Sequence, residues 1–363
     1  MSLDVSNGRA PRVRVAVVGY GYWGPNLARN VVACAQTELR WICDLDETAL
    51  TRAQKLNPAV QVTTSWSDIL ARSDIDAVVV SLPVRLHHQF ALEALRAGKH
   101  VLVEKPLART SAECDELAAA AASAEAVLMV SHTFEYNAAV RAIRSYIREG
   151  VLGEPYYVSM RRTNLGIVRS DENAMWSLAP HDLSILCYWL DREPVSVTAT
   201  GLARLQDGIE DVVFLALRFE GGMLGHVHCS WLDPHKVREA TIVGSEKMAY
   251  YDDVSTDEKI RLYDKGIVRN EPRPPELGRY GDFARFQMLA RAGDVLIPKL
   301  DFREPLAVEI EHFADCIRTG ATPLTDVRNG QRVVRILEAA DRSLASGHVE
   351  PISAAGAAVT RSP

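Results

Sequence analysis

The chain has 363 residues, with 41 Lys or Arg against 47 Asp or Glu, a formal net charge of −6 and 47% hydrophobic residues, values typical of a globular protein long enough for two domains. A mildly acidic chain without a long basic run has little attraction for a nucleic acid backbone or an anionic lipid surface, so we expect no nucleic acid partner. Its apolar runs are also too short to span a bilayer, so we expect no membrane partner. The polar start lacks the apolar stretch of a secretory signal, and the six cysteines form no Cys-x-x-Cys pair, so we expect a cytoplasmic protein with reduced thiols.

From Val13 the chain alternates short β-rich runs with helical stretches, the pattern of a doubly wound parallel sheet covered by helices. The runs are almost continuously apolar, as expected for strands buried on both faces. The predicted strands cover 13–18, 39–44, 60–63, 77–83, 100–104 and 127–131, and the predicted helices 25–34, 47–56, 86–97 and 111–123. Six such strands predict a complete Rossmann domain over residues 12–135.

After a predicted helix at 137–149 the pattern changes to β-rich runs joined by short turns, which predicts an antiparallel sheet. The predicted strands cover 156–163, 195–203, 212–219, 223–231, 238–243 and 248–251. Glu220-Gly221-Gly222 predicts one hairpin turn, since glycine reaches positive φ, and Ser245-Glu246 a second. We therefore expect an α/β plus α+β fold, with a substrate-binding and oligomerisation domain over residues 136–325.

The end of the chain is predicted to be helical. A Pro- and Gly-rich loop at 270–281 precedes helices at 305–319 and 327–346. We expect the segment 326–350 to pack back on the first domain and residues 351–363 to form a loose tail.

The segment Gly19-Tyr20-Gly21-Tyr22-Trp23-Gly24 matches G-x-G-x-x-G, directly after the first strand and before the first helix. Its glycines permit a tight turn, close approach of a pyrophosphate and close packing of helix on strand. Asp44 ends the second predicted strand, 20 residues after Gly24, where a carboxylate accepts hydrogen bonds from the adenosine ribose and repels a 2′-phosphate. The pattern favours NAD(H). NADP(H) stays possible, because Arg52 and Lys55 on the next helix could meet a phosphate.

The segment Ala97-Gly98-Lys99-His100-Val101-Leu102-Val103-Glu104-Lys105-Pro106 resembles the AGKHVxxEKP motif of the Gfo/Idh/MocA oxidoreductases. Ser81-Leu82-Pro83 with His87, and Ala179-Pro180-His181-Asp182-Leu183, extend the resemblance, which covers about residues 13–346. It implies a Rossmann domain, an open-faced antiparallel sheet, hydride transfer between nicotinamide and a carbohydrate-like alcohol, and homodimers or homotetramers formed through that sheet. The GYWGPNL turn and the PHDLSIL segment are similar to those of sugar-nucleotide oxidoreductases, some of which act at C3 of the sugar.

Alcohol oxidation requires a proton acceptor near the reacting oxygen, and Lys105 is the predicted one. It follows the fifth strand, at the carboxyl edge where open α/β sheets bind ligands. A free lysine has a pKa near ~10.4, so base catalysis requires desolvation or nearby positive charge, whereas the cation could polarise a ketone. A surface ion pair with Glu104 is the structural alternative.

The resemblance implies that His181 assists as an acid or base. Pro83 and His87 are expected to line the nicotinamide ribose pocket, with a strand end and a helix surface as the structural alternatives, and Glu104 and Lys105 are expected to contact the cofactor. Many family members have Asp four residues before this histidine, but this chain has Ser177 there, and Ser184 three residues after it. Either Asp182 or the substrate compensates for the missing carboxylate, or activity is reduced, or another residue carries the proton.

Substrate contacts are expected at the domain boundary and the first strand of the second domain. The candidates are His181, Tyr136, Arg161, Arg162, Asn164 and Trp176. Arginine suits a diphosphate or carboxylate and an aromatic ring suits a sugar, although solvated charge and sheet packing explain them equally well. His226 and His228 share a strand face, but without a cysteine pair or carboxylate cluster we predict no metal site.

The predicted function is hydride transfer between NAD(P) and a secondary alcohol or ketone of a sugar, with a nucleotide sugar at C3 preferred. A free sugar, a cyclitol or a non-sugar alcohol is the alternative substrate. A second alternative is a cofactor-binding subunit without catalytic activity.

Overall fold

The structure is a computed structural model that describes residues 11–268, 289–291 and 293–352. The chain divides into two compact units, the first formed by residues 1–136 and 303–335, the second by 137–302 and 336–363. The predicted loop at 270–281 and the end of the predicted tail lie outside the described residues.

The secondary structure begins with alternating strands and helices, as predicted. The strands of the first unit are β1 Val13–Val18, β2 Thr37–Cys43, β3 Gln61–Thr63, β4 Ala77–Val80, β5 His100–Glu104 and β6 Leu128–Ser131. Its helices before residue 137 are α1 Gly24–Ala33, α2 Glu47–Leu56, α3 Trp66–Ala71, α4 Val84–Arg96, α5 Ser111–Ser123 and the 3₁₀ helix Thr133–Tyr136.

The second half of the chain is mostly strands. The strands are β7 Pro155–Thr163, β8 Ser196–Leu202, β9 Val212–Arg218, β10 Leu224–Ser230, β11 Val237–Gly244, β12 Met248–Asp252, β13 Ile260–Tyr263, β14 Gly266–Val268, β15 Leu289–Arg291, β16 Val295–Leu296 and β17 Glu350–Pro351. The helices are α6 Ala138–Arg148, α7 Ala174–Leu190, α8 Pro305–Thr319 and α9 Val327–Ser346.

The six strands of the first unit form one parallel sheet in the order β3-β2-β1-β4-β5-β6, which confirms the predicted Rossmann arrangement. Strand β1 lies at its centre, and its Val15 and Val17 pack into a core shared with Leu27 and Val31 of α1. Helix α3 was not predicted; Ser65, whose side chain accepts a hydrogen bond from the backbone of Asp68, caps it.

Helix α8 belongs to the first unit, which differs from the predicted boundary at residue 325. Its Leu306, Ile310 and Phe313 recur along one helix face and are buried in the core of that unit. Helix α9 is divided between the units after Arg335, instead of belonging to the first domain alone.

The second unit contains a nine-stranded sheet in the order β16-β13-β12-β11-β7-β10-β9-β8-β17. Its neighbouring strands are antiparallel except for β7 and β10, which are parallel. The predicted strands of this sheet are confirmed, and Pro351, predicted as the start of a tail, pairs with β8 instead. Helix α7 packs on β7, β9 and β10. We predicted no element there because almost every residue of α7 is buried, which hides the helical period, and because it contains Pro180.

All six cysteines are buried free thiols, as predicted. None of the helices in the described ranges combines the length and apolar character needed to cross a bilayer.

Candidate cofactor-binding and catalytic site

The turn after β1 uses its three glycines for different purposes. A Cβ atom at Gly19, whose φ is +90°, would lie 2.2 Å from the carbonyl oxygen of Ser81, and one at Gly24 would lie 2.2 Å from that of Gly19. A Cβ atom at Gly21 would meet no atom of the chain within 4 Å. The fold itself thus requires Gly19 and Gly24, whereas Gly21 borders open space where a pyrophosphate can approach the backbone.

The start of α1 is suited to bind an anion. No side chain caps its N-terminus at Trp23, and no acidic residue lies in its first turn. The helix dipole and the backbone N–H groups there are therefore not neutralised by an acidic side chain of that turn. Together with the space at Gly21, this arrangement fits the pyrophosphate of a dinucleotide.

The carboxylate of Asp44, just after β2, is oriented by two backbone groups. The N–H of Tyr20 donates to its Oδ2 at 2.5 Å, and the N–H of Asp46 to its Oδ1 at 2.9 Å. Arg52 donates to the carbonyl oxygen of Tyr20 at 3.1 Å. The predicted ribose acceptor therefore lies against the glycine turn, and the guanidinium of Arg52 contacts the same turn.

Lys105 follows the carboxyl end of β5 and precedes Pro106 across a cis peptide bond. Glu104 accepts from the backbone N–H of Lys105 at 3.3 Å. Burial raises the pKa of Glu104, while the charge of Lys105 acts in the opposite direction. Tyr22 and Trp23 in the glycine turn are both exposed.

His87 supports this segment from behind. Its side chain is 1% exposed, with Nδ1 at 2.8 Å from the carbonyl oxygen of Pro106 and Nε2 at 2.7 Å from that of Leu82. Burial lowers the pKa of His87, which favours the neutral ring. His87 thus holds the backbone beside Lys105, which differs from the ribose contact we predicted, whereas Pro83 is exposed at the start of α4.

In the second unit, His181 lies in α7, one helical turn after Ser177, so their side chains share a helix face. Ser184 donates a hydrogen bond to the carbonyl oxygen of His181 at 2.9 Å. The two positions one turn away on either side of His181 are therefore occupied by serine hydroxyls.

Comparison with known proteins identifies the family. Residues 13–132 match the model of the oxidoreductase family with an NAD-binding Rossmann fold, GFO_IDH_MocA, and residues 140–250 match that of the GFO/IDH/MocA C-terminal domain. An inositol 2-dehydrogenase from Paenarthrobacter aurescens is 31% identical over 224 residues, which cover 58% of this chain and 67% of that enzyme. The chain belongs to the Gfo/Idh/MocA oxidoreductase family. This membership confirms the predicted family, its class of NAD(P)-dependent oxidoreductase and its nicotinamide cofactor.

One further curated relative and one solved structure resemble this Gfo/Idh/MocA protein. The 1,5-anhydro-D-fructose reductase of Ensifer adhaerens is 33% identical over 179 residues, 46% of this chain, and the match spans about half of that enzyme, 53%. The crystal structure of GenD2 from gentamicin A biosynthesis, in complex with NAD, has a TM-score of 0.79 and 24% identity, covering 96% of this chain and 99% of that one. The latter likeness supports the fold class alone.

Asp182 does not replace the aspartate that many family members have at the position of Ser177. Asp182 accepts three hydrogen bonds from Arg162, with Nε at 3.1 Å from both Oδ1 and Oδ2 and Nη2 at 2.8 Å from Oδ1. The two side chains are 3% and 4% exposed. Asp182 is committed to this pair, so it does not take the place of an acid at Ser177, and Arg162 has no surface to offer a substrate.

We expect Asp182→Ala to lower the free energy of unfolding by about 3–5 kcal/mol, because it leaves the buried guanidinium of Arg162 without its counter-charge. Urea denaturation followed by circular dichroism measures the loss. Asp257→Ala, which removes an exposed carboxylate of the second unit, is the matched control and is expected to change little. A double variant with Arg162→Met and Asp182→Leu should recover most of the stability; if Asp182→Ala alone is as stable as the parent, the pair has no structural role.

Three other predicted substrate contacts have partners of their own. Tyr136 is 2% exposed in the core of the first unit, with its hydroxyl 3.0 Å from that of Thr325. Arg161 lies on the sheet face opposite α7, paired with Glu239 at 3.3 Å. Trp176 donates to Asp341 at 2.8 Å, and burial raises the pKa of that carboxyl to about 6.

Tyr136 is thus buried within the first unit, and Arg161 lies on the sheet face opposite the helix that carries His181, so neither placement supports the predicted role as a substrate contact. Asn164 follows β7 with its backbone bonded to Ser230, and its partly exposed side chain stays a candidate.

His226 and His228 flank the ring of Phe214 on the face opposite α7, with His228 stacked at 4.3 Å between ring centroids. Within the described ranges, no group of three or more His, Cys, Asp or Glu side chains is arranged to hold a metal ion.

Sequence analysis missed a set of buried polar residues around the carboxyl end of β6. Its members are His132 directly after β6, Glu135 in the 3₁₀ helix, Glu309 in α8 and Asn329 in α9, with the half-buried Thr133 beside them. The available signal was the polar run that directly follows the apolar strand β6, at the ligand-binding edge of the sheet.

Proposed function

We propose that this protein transfers hydride between NAD(H) and a secondary alcohol or ketone of a sugar, with Lys105 as the proton-transfer residue. The observation that carries the proposal is the position of Lys105, which follows the carboxyl end of β5 in the same parallel sheet whose strand β1 ends at the glycine turn. A bound dinucleotide and a lysine are thus brought to one edge of one domain.

The residues of the chain supply binding and proton transfer. The glycine turn and the start of α1 bind the pyrophosphate, and Asp44 accepts from the adenosine ribose. Bound NAD supplies the nicotinamide carbon that accepts hydride from the alcohol. Lys105 takes the hydroxyl proton in oxidation, or returns it in reduction, and His87 holds the backbone that aims its amine.

His181 is proposed as the assisting acid or base. With Ser177 one turn before it, the chain provides no carboxylate at that position to stabilise an imidazolium. Lys105 is therefore assigned the transfer of the proton, and His181 assists it at the reacting hydroxyl.

For the substrate we propose a nucleotide sugar oxidised or reduced at C3, supported by the GYWGPNL and PHDLSIL segments. A cyclitol or free sugar is the second candidate, favoured by similarity to the inositol 2-dehydrogenase and the 1,5-anhydro-D-fructose reductase.

The test is turnover with NAD or NADP and a panel of nucleotide sugars, free sugars and cyclitols, followed by absorbance of the reduced cofactor and by product mass. A ketone formed from one nucleotide sugar supports the first candidate, and one formed from inositol or a free sugar the second. If no substrate turns over in either direction while calorimetry shows NAD binding, the protein is a cofactor-binding subunit and the proposed activity is wrong.

We expect Asp44→Ala to lower the affinity for NADH by about 10–100-fold, because hydrogen bonds to a charged group contribute about 1.5–3 kcal/mol. Affinity for NADPH should fall less or rise, since the charge that repels a 2′-phosphate is removed and Arg52 remains. Fluorescence titration of both cofactors measures the ratio, with the exposed Glu47→Ala as control. An equal loss for both cofactors would contradict the role of Asp44 in discrimination.

We also propose a homodimer or homotetramer that associates through the sheet face opposite α7. Tyr157, Phe214 and Leu224 on this face are 45%, 43% and 46% exposed. Analytical ultracentrifugation of the parent and of Phe214→Asp measures the association, and a monomeric parent would refute it.

A further inference from the structure

The first turn of α7, which leads to His181, lacks part of the hydrogen bonding that holds a helix together. In an α-helix each backbone N–H donates to the carbonyl oxygen four residues before it. Proline has no N–H, so Pro180 donates nothing to the carbonyl oxygen of Trp176. The turn that begins at Ala174 is therefore joined less firmly to the turn that carries His181, and contacts from outside the helix decide where it lies.

One such contact comes from the loop between β8 and β9. Asn173 caps α7, because its side-chain oxygen accepts a hydrogen bond from the backbone N–H of Trp176 at 3.1 Å. Its side-chain amide donates to Oε2 of Glu210 at 2.8 Å, and the carbonyl oxygen of Glu210 accepts from the N–H of Ala174 at 2.9 Å. Glu210 thus fixes the cap and the first backbone N–H of the helix.

The other contact comes from α9. The indole N–H of Trp176 donates to Oδ2 of Asp341 at 2.8 Å. Both side chains are half-buried, and both residues belong to the second unit. A hydrogen bond to a carboxylate that is partly shielded from water is stronger than one between two neutral groups. Asp341 thus holds the residue whose carbonyl oxygen receives no hydrogen bond from Pro180.

The groups around Asp341 leave its carboxylate dependent on this donor. Burial raises the pKa of Asp341 to about 6, and the hydrogen bond from Trp176 acts in the opposite direction. The charges of Glu210 and Glu338 also raise this pKa, and that of Arg342 lowers it. A pKa of about 6 leaves the carboxyl largely ionised near pH 7, so the indole N–H donates to a negative charge with two acidic neighbours.

We propose that Asp341 is a positioning residue, which accepts the indole hydrogen bond of Trp176 and thereby holds the first turn of α7 in place for the reaction. The proposal rests on the proposed function and on the assisting role of His181 in it. Ser177 directly follows Trp176, and His181 lies one helical turn after Ser177. A shift of the first turn would displace this face of the helix from the reacting hydroxyl, and a misplacement of about 1 Å can lower a rate about 10²-fold.

The first test needs no substrate. Hydrogen–deuterium exchange of the peptide covering residues 174–181, followed by mass spectrometry, should be about tenfold or more faster in Asp341→Leu than in the parent, the effect of one hydrogen bond to a charged group. Trp176→Phe removes the donor of the same bond and should have a similar effect. Asp341→Asn still offers an oxygen to the indole and should exchange nearly as slowly as the parent.

The matched control is Asp257→Asn, which changes an exposed carboxylate of the same unit and should leave the exchange of this peptide unchanged. Thermal denaturation checks that each variant is folded. If Asp341→Leu and Trp176→Phe exchange at the parent rate, Asp341 does not hold the turn, and the proposal is wrong whether or not the protein turns over any sugar.

The second test uses turnover of the substrate found in the panel. Asp341→Leu and Trp176→Phe should each lower kcat about tenfold, whereas Asp341→Asn should retain most of it. Calorimetric affinity for NADH should not change, since the glycine turn lies in the first unit. Because both single variants remove one and the same bond, the double variant should lose no more than either of them.

The outcomes distinguish this proposal from the proposed function. Losses that multiply in the double variant, or equal kcat values for Asp341→Asn and Asp341→Leu, refute the positioning role while the activity itself stands. Absence of turnover in the parent refutes the proposed function and with it any role of Asp341 in the reaction, and the exchange result still decides whether Asp341 holds the first turn of α7.

Discussion

Lys105→Met is expected to lower kcat about 10²–10⁴-fold, the usual loss when a proton-transfer group is removed. Methionine keeps the length and apolar stem of the side chain but cannot accept or donate the proton of the reacting hydroxyl. Cofactor affinity should change little, because the pyrophosphate turn and Asp44 are separate from the lysine amine. Initial rates with the substrate found in the panel, together with calorimetric titration of NADH, measure the two quantities.

The control is Lys236→Met, which removes an exposed lysine of the second unit. Lys105→Arg separates the two possible roles of Lys105, because arginine stays protonated and can polarise a ketone but cannot act as a base. Partial activity of Lys105→Arg would assign the role to charge. Full activity of Lys105→Met would remove Lys105 from the mechanism and leave His181 as the proton carrier.

The Rossmann unit was predictable because its signals are local. Continuous apolar runs such as Val13–Val18 mark strands buried on both faces, and the glycine pattern identifies the turn after the first of them. The glycine pattern and its spacing to the end of the second strand predicted Gly19, Gly24 and Asp44 as cofactor-binding residues. The structure places all three at the carboxyl edge of the sheet.

Residues whose role depends on a distant partner were not predictable. Arg162 and Trp176 have the residue types of ligand contacts, but their partners Asp182 and Asp341 lie 20 and 165 positions away. Sequence alone does not show that an arginine will be satisfied inside a core. For the same reason Glu309, 178 positions from Ser131, carried no local signal.

Helix α7 illustrates a different limit. A helix with one buried face shows a period near 3.6 residues, but α7 is buried on nearly all sides and contains Pro180. The apolar run of α7 is therefore compatible with either a buried strand or a buried helix. Only the structure shows that His181 lies on a helix.

Gly21→Ala should weaken cofactor binding without loss of stability, whereas Gly24→Ala should lower the stability of the first unit. At Gly21 the new methyl group meets no atom of the chain, so we expect the melting temperature to be kept while NADH affinity falls about tenfold or more, the equivalent of about 1.4 kcal/mol lost at the pyrophosphate. At Gly24 the methyl group would lie 2.2 Å from a backbone oxygen, so the turn must shift and the first unit should lose about 1–3 kcal/mol of stability.

Thermal denaturation with and without NADH measures both effects in one experiment, because a bound ligand raises the melting temperature in proportion to its affinity and concentration. Gly21→Ala should melt as the parent does without NADH and gain less when NADH is added. Gly24→Ala should already melt at a lower temperature without it. If NADH protects Gly21→Ala as fully as the parent, the open space at Gly21 does not receive the pyrophosphate, and the location of the cofactor in this unit would have to be revised.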